Sequence, residues 1–404
     1  MPLLSPPGVA TAAPPPGPAD SRAPQARISG PAGRVTGLDV ARALAVFGML
    51  GAHVGGVPAD VVASPSSWLG AVNGRSSILF AVLAGVSVAL LTGRTAVPAG
   101  EELVRGRTRL LVRAAWVFGI GVALQALGTD IDVILGVYGV LFVLALPFLR
   151  WSPRRLVLAA AVLAVLTPPA ALLLTVGAQA AGLEESPVVM LVLNGPYPAL
   201  IWWTFILVGM AVGRSDLGSP QVRARLVGAG AALAGLGYAT GWLTTWWWGQ
   251  AASAQAWVDG EVDRRSWSPA WLSGAAPHSG TTFEIVGSVG VALIVIAGCL
   301  VVAERLPRVA FPLVSVGAMA LTAYTGSVIA PAALDEHPEG GWTWLAFIAA
   351  TVVLATGWRL LLGQGPLERL LSTSSRRAAA LAVRHLGPRP QPSPPPAPVR
   401  WSNQ

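Results

Sequence analysis

Three ionisable residues stand in a stretch that is otherwise apolar: Asp39, Arg42 and His53 in LDVARALAVFGMLGAHVGG, residues 38–56. On a helix turning about 100° per residue they fall along one stripe, with Asp39 and Arg42 a turn apart and His53 roughly 20 Å further on. The chemistry within their reach is a charged pair at one end and proton exchange at the other, since a free imidazole titrates near pH ~6.5. The plainer alternatives are a helix-entry ion pair for Asp39 and Arg42 and an amphipathic interfacial anchor for His53. A second polar stretch is PHSGTTFEIVGS, residues 277–288. His278 there supplies a second imidazole for an acid/base pair. Glu284 has two readings, a binding carboxylate or a residue in the first turn of a helix capped by Thr281 or Thr282, where the helix dipole favours negative charge. Arg75 and Tyr324 are further candidate binding groups. Tyr138 and Ser327 add candidate pocket hydroxyls, with hydrogen bonding between helices as the alternative. His337 lies in an acidic loop, DEHPEG, and receives no role.

The elements that carry these residues follow from composition. Of 404 residues 53% are apolar and only 11% charged, and mean hydropathy is +0.62, which describes a surface that faces lipid. About ten apolar stretches are long enough to cross a bilayer, near 37–56, 76–92, 110–127, 131–149, 156–177, 198–213, 226–247, 283–303, 311–330 and 342–362. Without period-two alternation such stretches are helices, so the expected fold is all-α, a polytopic integral membrane bundle of about ten transmembrane helices. Arginines recur in every second connection, including Arg94, Arg105, Arg155, Arg225 and Arg308, whereas Asp130, Glu184, Glu185, Asp259, Glu261, Asp263, Asp335, Glu336 and Glu339 occupy the others. The positive-inside rule then makes both termini cytoplasmic and puts His53 and His278 on the outer side.

The net charge of +8 is spread over successive loops, which argues for membrane topology and anionic lipid rather than nucleic acid. A single cysteine, Cys299, excludes an intrachain disulfide. Four histidines without metal-ligand spacing argue against a zinc site, and no phosphate-binding loop or GxSxG elbow is present. The Trp-rich run GWLTTWWWGQ, continued by Trp257, Trp267 and Trp271, reads first as an interfacial belt and second as a sugar-stacking surface. Residues 1–33 and 381–404 are Pro-rich and expected to be disordered, which leaves 34–380 as the membrane domain.

The stretch RVTGLDVARALAVFGMLGAH resembles the first span of the YeiB-like membrane proteins, a family of unknown function. GRSSILFAVLAGVSVAL resembles its second span, VGAMALTAYTGSVIA its penultimate span and GPLERLLSTSSRRAA its terminal segment. The first two stretches are also similar to the opening of heparan-alpha-glucosaminide N-acetyltransferase and, more distantly, of the acyltransferase-3 membrane enzymes, whose first span ends in a functional His. The resemblance implies a bacterial inner-membrane, multi-pass acyltransferase acting on a sugar-like or other small acceptor at the outer face. It implies acyl-CoA, acetyl-CoA among the candidates, as donor, with no bound cofactor or metal and with membrane lipids as partners. His53 and His278 are then the catalytic candidates, and Asp39, Arg42, Arg75, Glu284 and Tyr324 the candidates for binding substrate or donor. The heparan enzyme takes its His from the loop after the first span, and between Val54 and Arg75 this chain has none. Either His53 replaces that base or the chemistry is absent. The competing class is a transporter or exporter of a small or amphipathic molecule, with Asp39, Arg42 and His53 as a polar path. Catalysis requires His53 and His278 to converge on one space, whereas transport requires the polar stripe to continue through facing helices.

Overall fold

The computed structural model describes residues 34–56, 70, 72–129, 131–183, 185–248, 268–334 and 340–384, and these form helices without a strand. Expectations for the two tails, for Trp257, Trp267 and His337, and for most acidic outer-loop residues, fall outside the described residues. The chain runs through α1 (Thr36–Val54), α2 (Arg75–Leu91), α3 (Gly100–Gln125), α4 (Leu135–Leu144), α5 (Pro153–Ala180), α6 (Ala199–Gly213) and α7 (Pro220–Trp248). It continues through α8 (Thr282–Arg305), α9 (Pro307–Ala318), α10 (Ala320–Ala332), α11 (Gly341–Leu361) and α12 (Pro366–Arg384).

Helix α1 is central because its surface is small and apolar nearly all round: Ala41, Ala43 and Ala45 are completely buried, and α2, α8, α9, α10 and α11 all pack on it. Close approach is set by glycine. A Cβ on Gly317 of α9 would sit 1.7 Å from the carbonyl oxygen of Asp39, so α9 touches the α1 backbone at the residue that carries the buried carboxylate. The contact of α7 with α8 works in the same way, with Gly237 against Gly287 and Gly230 against Gly290. Leu158, Leu166 and Leu173 of α5 and Val353 and Leu354 of α11 are exposed, forming an apolar outer surface that suits lipid.

Six helices are long and apolar enough to cross a membrane, and two bent pairs raise that to eight. Helices α2 and α4, with 17 and 10 residues, are shorter. Every one of the ten apolar stretches therefore holds a helix or a bent pair, but two of them are not single straight crossings. At 1.5 Å per residue α4 rises about 15 Å, half the hydrocarbon thickness, before a 3-10 turn at Leu146–Arg150 that contains Pro147. The stretch 311–330 bends by 70° between α9 and α10. The backbone N–H groups of Leu321 and Thr322, freed at that break, donate to the carboxylate of Glu368 at 2.8 and 3.0 Å. Helix α12 runs to Arg384, where SSRRAAALAVR is rich in strong helix formers.

Candidate functional site

Helix α1 carries a charged cluster at its start and His53 at its end, and each end opens on its own cavity. The first, of about 470 Å³, is lined by Arg34, Arg42, Arg94 and Arg113 with Asp39 and Glu368, above apolar residues of α2, α3 and α4. Asp39 is only 1% exposed and is fully engaged. Arg34 grips it through Nε to Oδ2 at 2.6 Å and Nη2 to Oδ1 at 3.1 Å, and Arg42 donates from Nη1 to Oδ1 at 2.6 Å. Arg42 also donates from Nη2 to Ser87 Oγ of α2 at 3.0 Å. The expected pair is thus a trio. With Asp39 held by Arg34 and Arg42, and Glu368 occupied by α10, the four guanidinium groups leave this arginine cavity with excess positive charge, suited to phosphate or another anion.

The second cavity, of about 720 Å³, is lined by His53, Asp132, Asn194, Tyr197 and His278, together with Ser76 and Ser77 of α2. Both imidazoles predicted to work together therefore open on one space. The His53 ring is bonded to the carbonyl of Ser327, while its Nδ1 is buried and has no hydrogen-bond partner among the described residues. A neutral imidazole that donates from one nitrogen keeps a lone pair on the other, which is what a proton acceptor needs. His278 packs edge-on against Tyr197, ring centroids 5.7 Å apart, and bonds the carbonyl of Pro196. Burial pushes its pKa below the ordinary 6.5, and the Pro196 carbonyl partly opposes that shift.

The loop that presents His278 is tied to α8. Thr281 caps that helix by accepting from the Glu284 N–H at 3.1 Å, and Glu284 reaches back to accept from the His278 N–H at 2.7 Å, the Gly280 N–H at 2.6 Å and Ser279 Oγ at 3.3 Å. These bonds hold His278 at φ 63°, a left-handed conformation that a non-glycine residue adopts at a cost of about 1–3 kcal/mol. Gly280 is also left-handed, at φ 66°.

Among the predicted residues, Asp39 and Arg42 meet in the arginine cavity and His53 and His278 in the histidine cavity. Arg75, Glu284 and Tyr324 line neither cavity. Arg75 donates from Nε to the Tyr238 hydroxyl at 2.8 Å, facing α7. Glu284 positions the loop, and Tyr324 is buried with its ring centroid 6.4 Å from that of His53. Sequence reasoning missed Arg34, Ser87, Arg94, Arg113, Asn194 and Tyr197. Arg113 carried a usable signal, since it stands inside an apolar stretch as Arg42 does. Ser87 carried none, because its contact with Arg42 spans 45 residues. Among the described residues no group of three or more His, Cys, Asp or Glu gathers that could hold a metal ion.

These features define a multi-pass helical membrane protein with an anion-suited cavity at one end of its central helix and an imidazole-lined cavity at the other. The family can be named. The model for heparan-alpha-glucosaminide N-acetyltransferase, catalytic, matches residues 34–237, half of the chain, and the chain belongs to that family. The matched part runs from Arg34 through most of α7 and includes Asp39, Arg42, His53 and Arg75, whereas His278, Glu284 and Tyr324 lie beyond it. No curated protein was found to match the chain.

Proposed function

We propose that this protein is a membrane acyltransferase of the YeiB-like kind. It moves an acetyl or other short acyl group from an acyl-CoA at the cytoplasmic face of a bacterial inner membrane to a sugar-like or other small acceptor at the outer face. The observation that carries the reading is that His53, inside the family match, shares one cavity with His278, while an arginine-lined cavity opens at the opposite end of the same helix. Ten crossings and two cytoplasmic termini fit the alternation of arginine-rich and acidic connections, and that orientation turns the arginine cavity towards the cytoplasm. There the guanidinium groups would hold the phosphates of the donor.

The acceptor hydroxyl or amine attacks the thioester carbonyl. As the new C–O or C–N bond forms and the C–S bond breaks, the imidazole takes the acceptor's proton and passes it to water of the outer cavity. The departing thiolate takes a proton from water at the inner mouth. A positioned general base contributes about 10²–10⁴-fold to such a step. The transporter alternative is less well supported, because the groups that link His53 to the arginine cavity are the rings of Tyr324 and Phe80 rather than charged side chains.

The test is turnover of radiolabelled acetyl-CoA with glucosamine as acceptor by the protein in vesicles. His53→Asn, which keeps a polar group of similar reach, should lower the rate by about 10²-fold or more while leaving the folded yield intact. A folded His53→Asn variant with full turnover would remove His53 from the chemistry.

A further inference from the structure

The two cavities are one layer of side chains apart. On α2, Ser77 lines the histidine cavity and Phe80 the arginine cavity, and three residues of helix rise only about 4.5 Å. On the α4 side Asp132 lines the first of these and Leu135 the second, again three residues apart. Between them stands a set of rings. Phe80 lies 5.7 Å from Tyr138 and 6.4 Å from Tyr324, centroid to centroid, and the Tyr324 ring meets that of His53 edge-on at 6.4 Å.

The three rings are not held alike. Tyr138 is 2% exposed and donates its hydroxyl to the Ser77 carbonyl at 3.3 Å. Tyr324 is 1% exposed and accepts from the Ile134 N–H at 3.2 Å. Phe80 has no polar atom to anchor, is only half-buried and is held by apolar packing against the core and by the two tyrosine rings. Two rings are hydrogen-bonded, and at the third a change of rotamer would break no hydrogen bond.

We propose that Phe80, with Tyr138 and Tyr324 as its fixed frame, is the specificity-determining residue for the acyl group and the barrier between the two aqueous sides. The proposal rests on the reading of acyl transfer between the cavities. Of the two aromatic rings of this set that line the arginine cavity, Phe80 is the one without a hydrogen bond, and so the one that an acyl group moving towards His53 would displace. A swing of one phenyl ring opens room for a two- to four-carbon acyl group, whereas a longer chain would need the pinned tyrosines to move as well. With the ring closed, water and ions of the two cavities stay apart, as a membrane protein with a cavity at either end requires.

Two readouts test this, one of which is independent of catalysis. In a Cys299→Ala background, Ala52→Cys puts a thiol on an exposed residue that lines the histidine cavity. An anionic, membrane-impermeant methanethiosulfonate added on the side where Arg34 opens should leave that thiol unlabelled when Phe80 is present and label it when Phe80→Ala is added. The second readout compares acetyl-CoA, butanoyl-CoA and octanoyl-CoA as donors to glucosamine. Phe80→Ala should raise the octanoyl-to-acetyl rate ratio roughly tenfold or more, and Phe80→Trp should lower the butanoyl-to-acetyl ratio. Should Phe80→Ala fail to fold, Phe80→Leu keeps an apolar contact and should show both changes to a smaller degree. Labelling that is the same with and without Phe80 would overturn the barrier. An unchanged chain-length profile in a folded variant would overturn the specificity role. If labelling behaves as expected but no acyl chain is transferred at all, the barrier stands and the acyltransfer reading falls, and the specificity role with it.

Discussion

Asp39 illustrates how a buried carboxylate is read from sequence and then revised by its surroundings. Its place in an apolar stretch one turn from Arg42 was enough to predict a pair, but Arg34 takes both carboxylate oxygens as well. That second cation was hidden because it precedes the helix, where spacing rules give no register. The revision changes the expected mutational pattern. Arg42→Gln leaves Asp39 with a partner, whereas Asp39→Asn leaves two guanidinium groups facing each other. Thermal unfolding in detergent should therefore show Asp39→Asn as the more damaging change. Its cost should lie below the ~3–5 kcal/mol typical of a broken buried pair, since the Arg34 side chain is 32% exposed and partly screened. Equal losses for the two variants would mean that Arg34 does not share the carboxylate. His278 gives a prediction in pH. Because its pKa in the folded protein is depressed, it stays neutral as pH falls through 6.5, and the protonated form is favoured only at lower pH. The stability contributed by keeping this imidazole neutral is fully present above 6.5, the unfolded value, and is lost as pH falls below it. The His278 ring signals followed by NMR should not move from about pH 8 through 6.5 and should shift only at lower pH, and a titration of that ring centred above 6.5 would contradict a neutral, buried His278.

At the scale of elements, each of the ten apolar stretches holds a helix, six to eight of the crossings are long enough for a membrane, and hydropathy did not locate the breaks. The break at the 70° bend between α9 and α10 is capped by Glu368, a carboxylate 47 residues from the Leu321 N–H that donates to it. No local pattern around Met319 announces such a partner. The start of α8 was more legible. Thr281 and Glu284 have the spacing of a capping box, and the cap forms. The sequence left open whether Glu284 also binds a ligand, and its bonds to His278, Gly280 and Ser279 make it the brace of the loop. A brace and the group that it presents act as one unit. Glu284→Ala should therefore lower kcat about as far as His278→Ala does, and the double variant should be hardly slower than either single one. Losses that multiply in the double variant would show that Glu284 acts on its own.

For the whole molecule, composition was sufficient to read a helical membrane protein, and the first two stretches carried the resemblance to heparan-alpha-glucosaminide N-acetyltransferase that the match over residues 34–237 then showed. What periodicity along single helices could not reveal was the pairing of spaces. His53 and His278 are 225 positions apart in the chain and meet only because α1 and α8 pack together. Arg34, Arg42, Arg94 and Arg113 likewise converge from three helical regions on one cavity. Two cavities at opposite ends of α1 separated by rings make the central claim one of sidedness: the acyl donor and the acceptor are bound on different sides of the membrane. The most direct measurement uses sealed vesicles of known orientation, with acetyl-labelled acetyl-CoA confined to the side where Arg34 opens and glucosamine to the other. The account predicts labelled N-acetylglucosamine on the glucosamine side while the coenzyme stays where it was placed. Product that forms only when both reactants share one side, or no product in either arrangement, would contradict it.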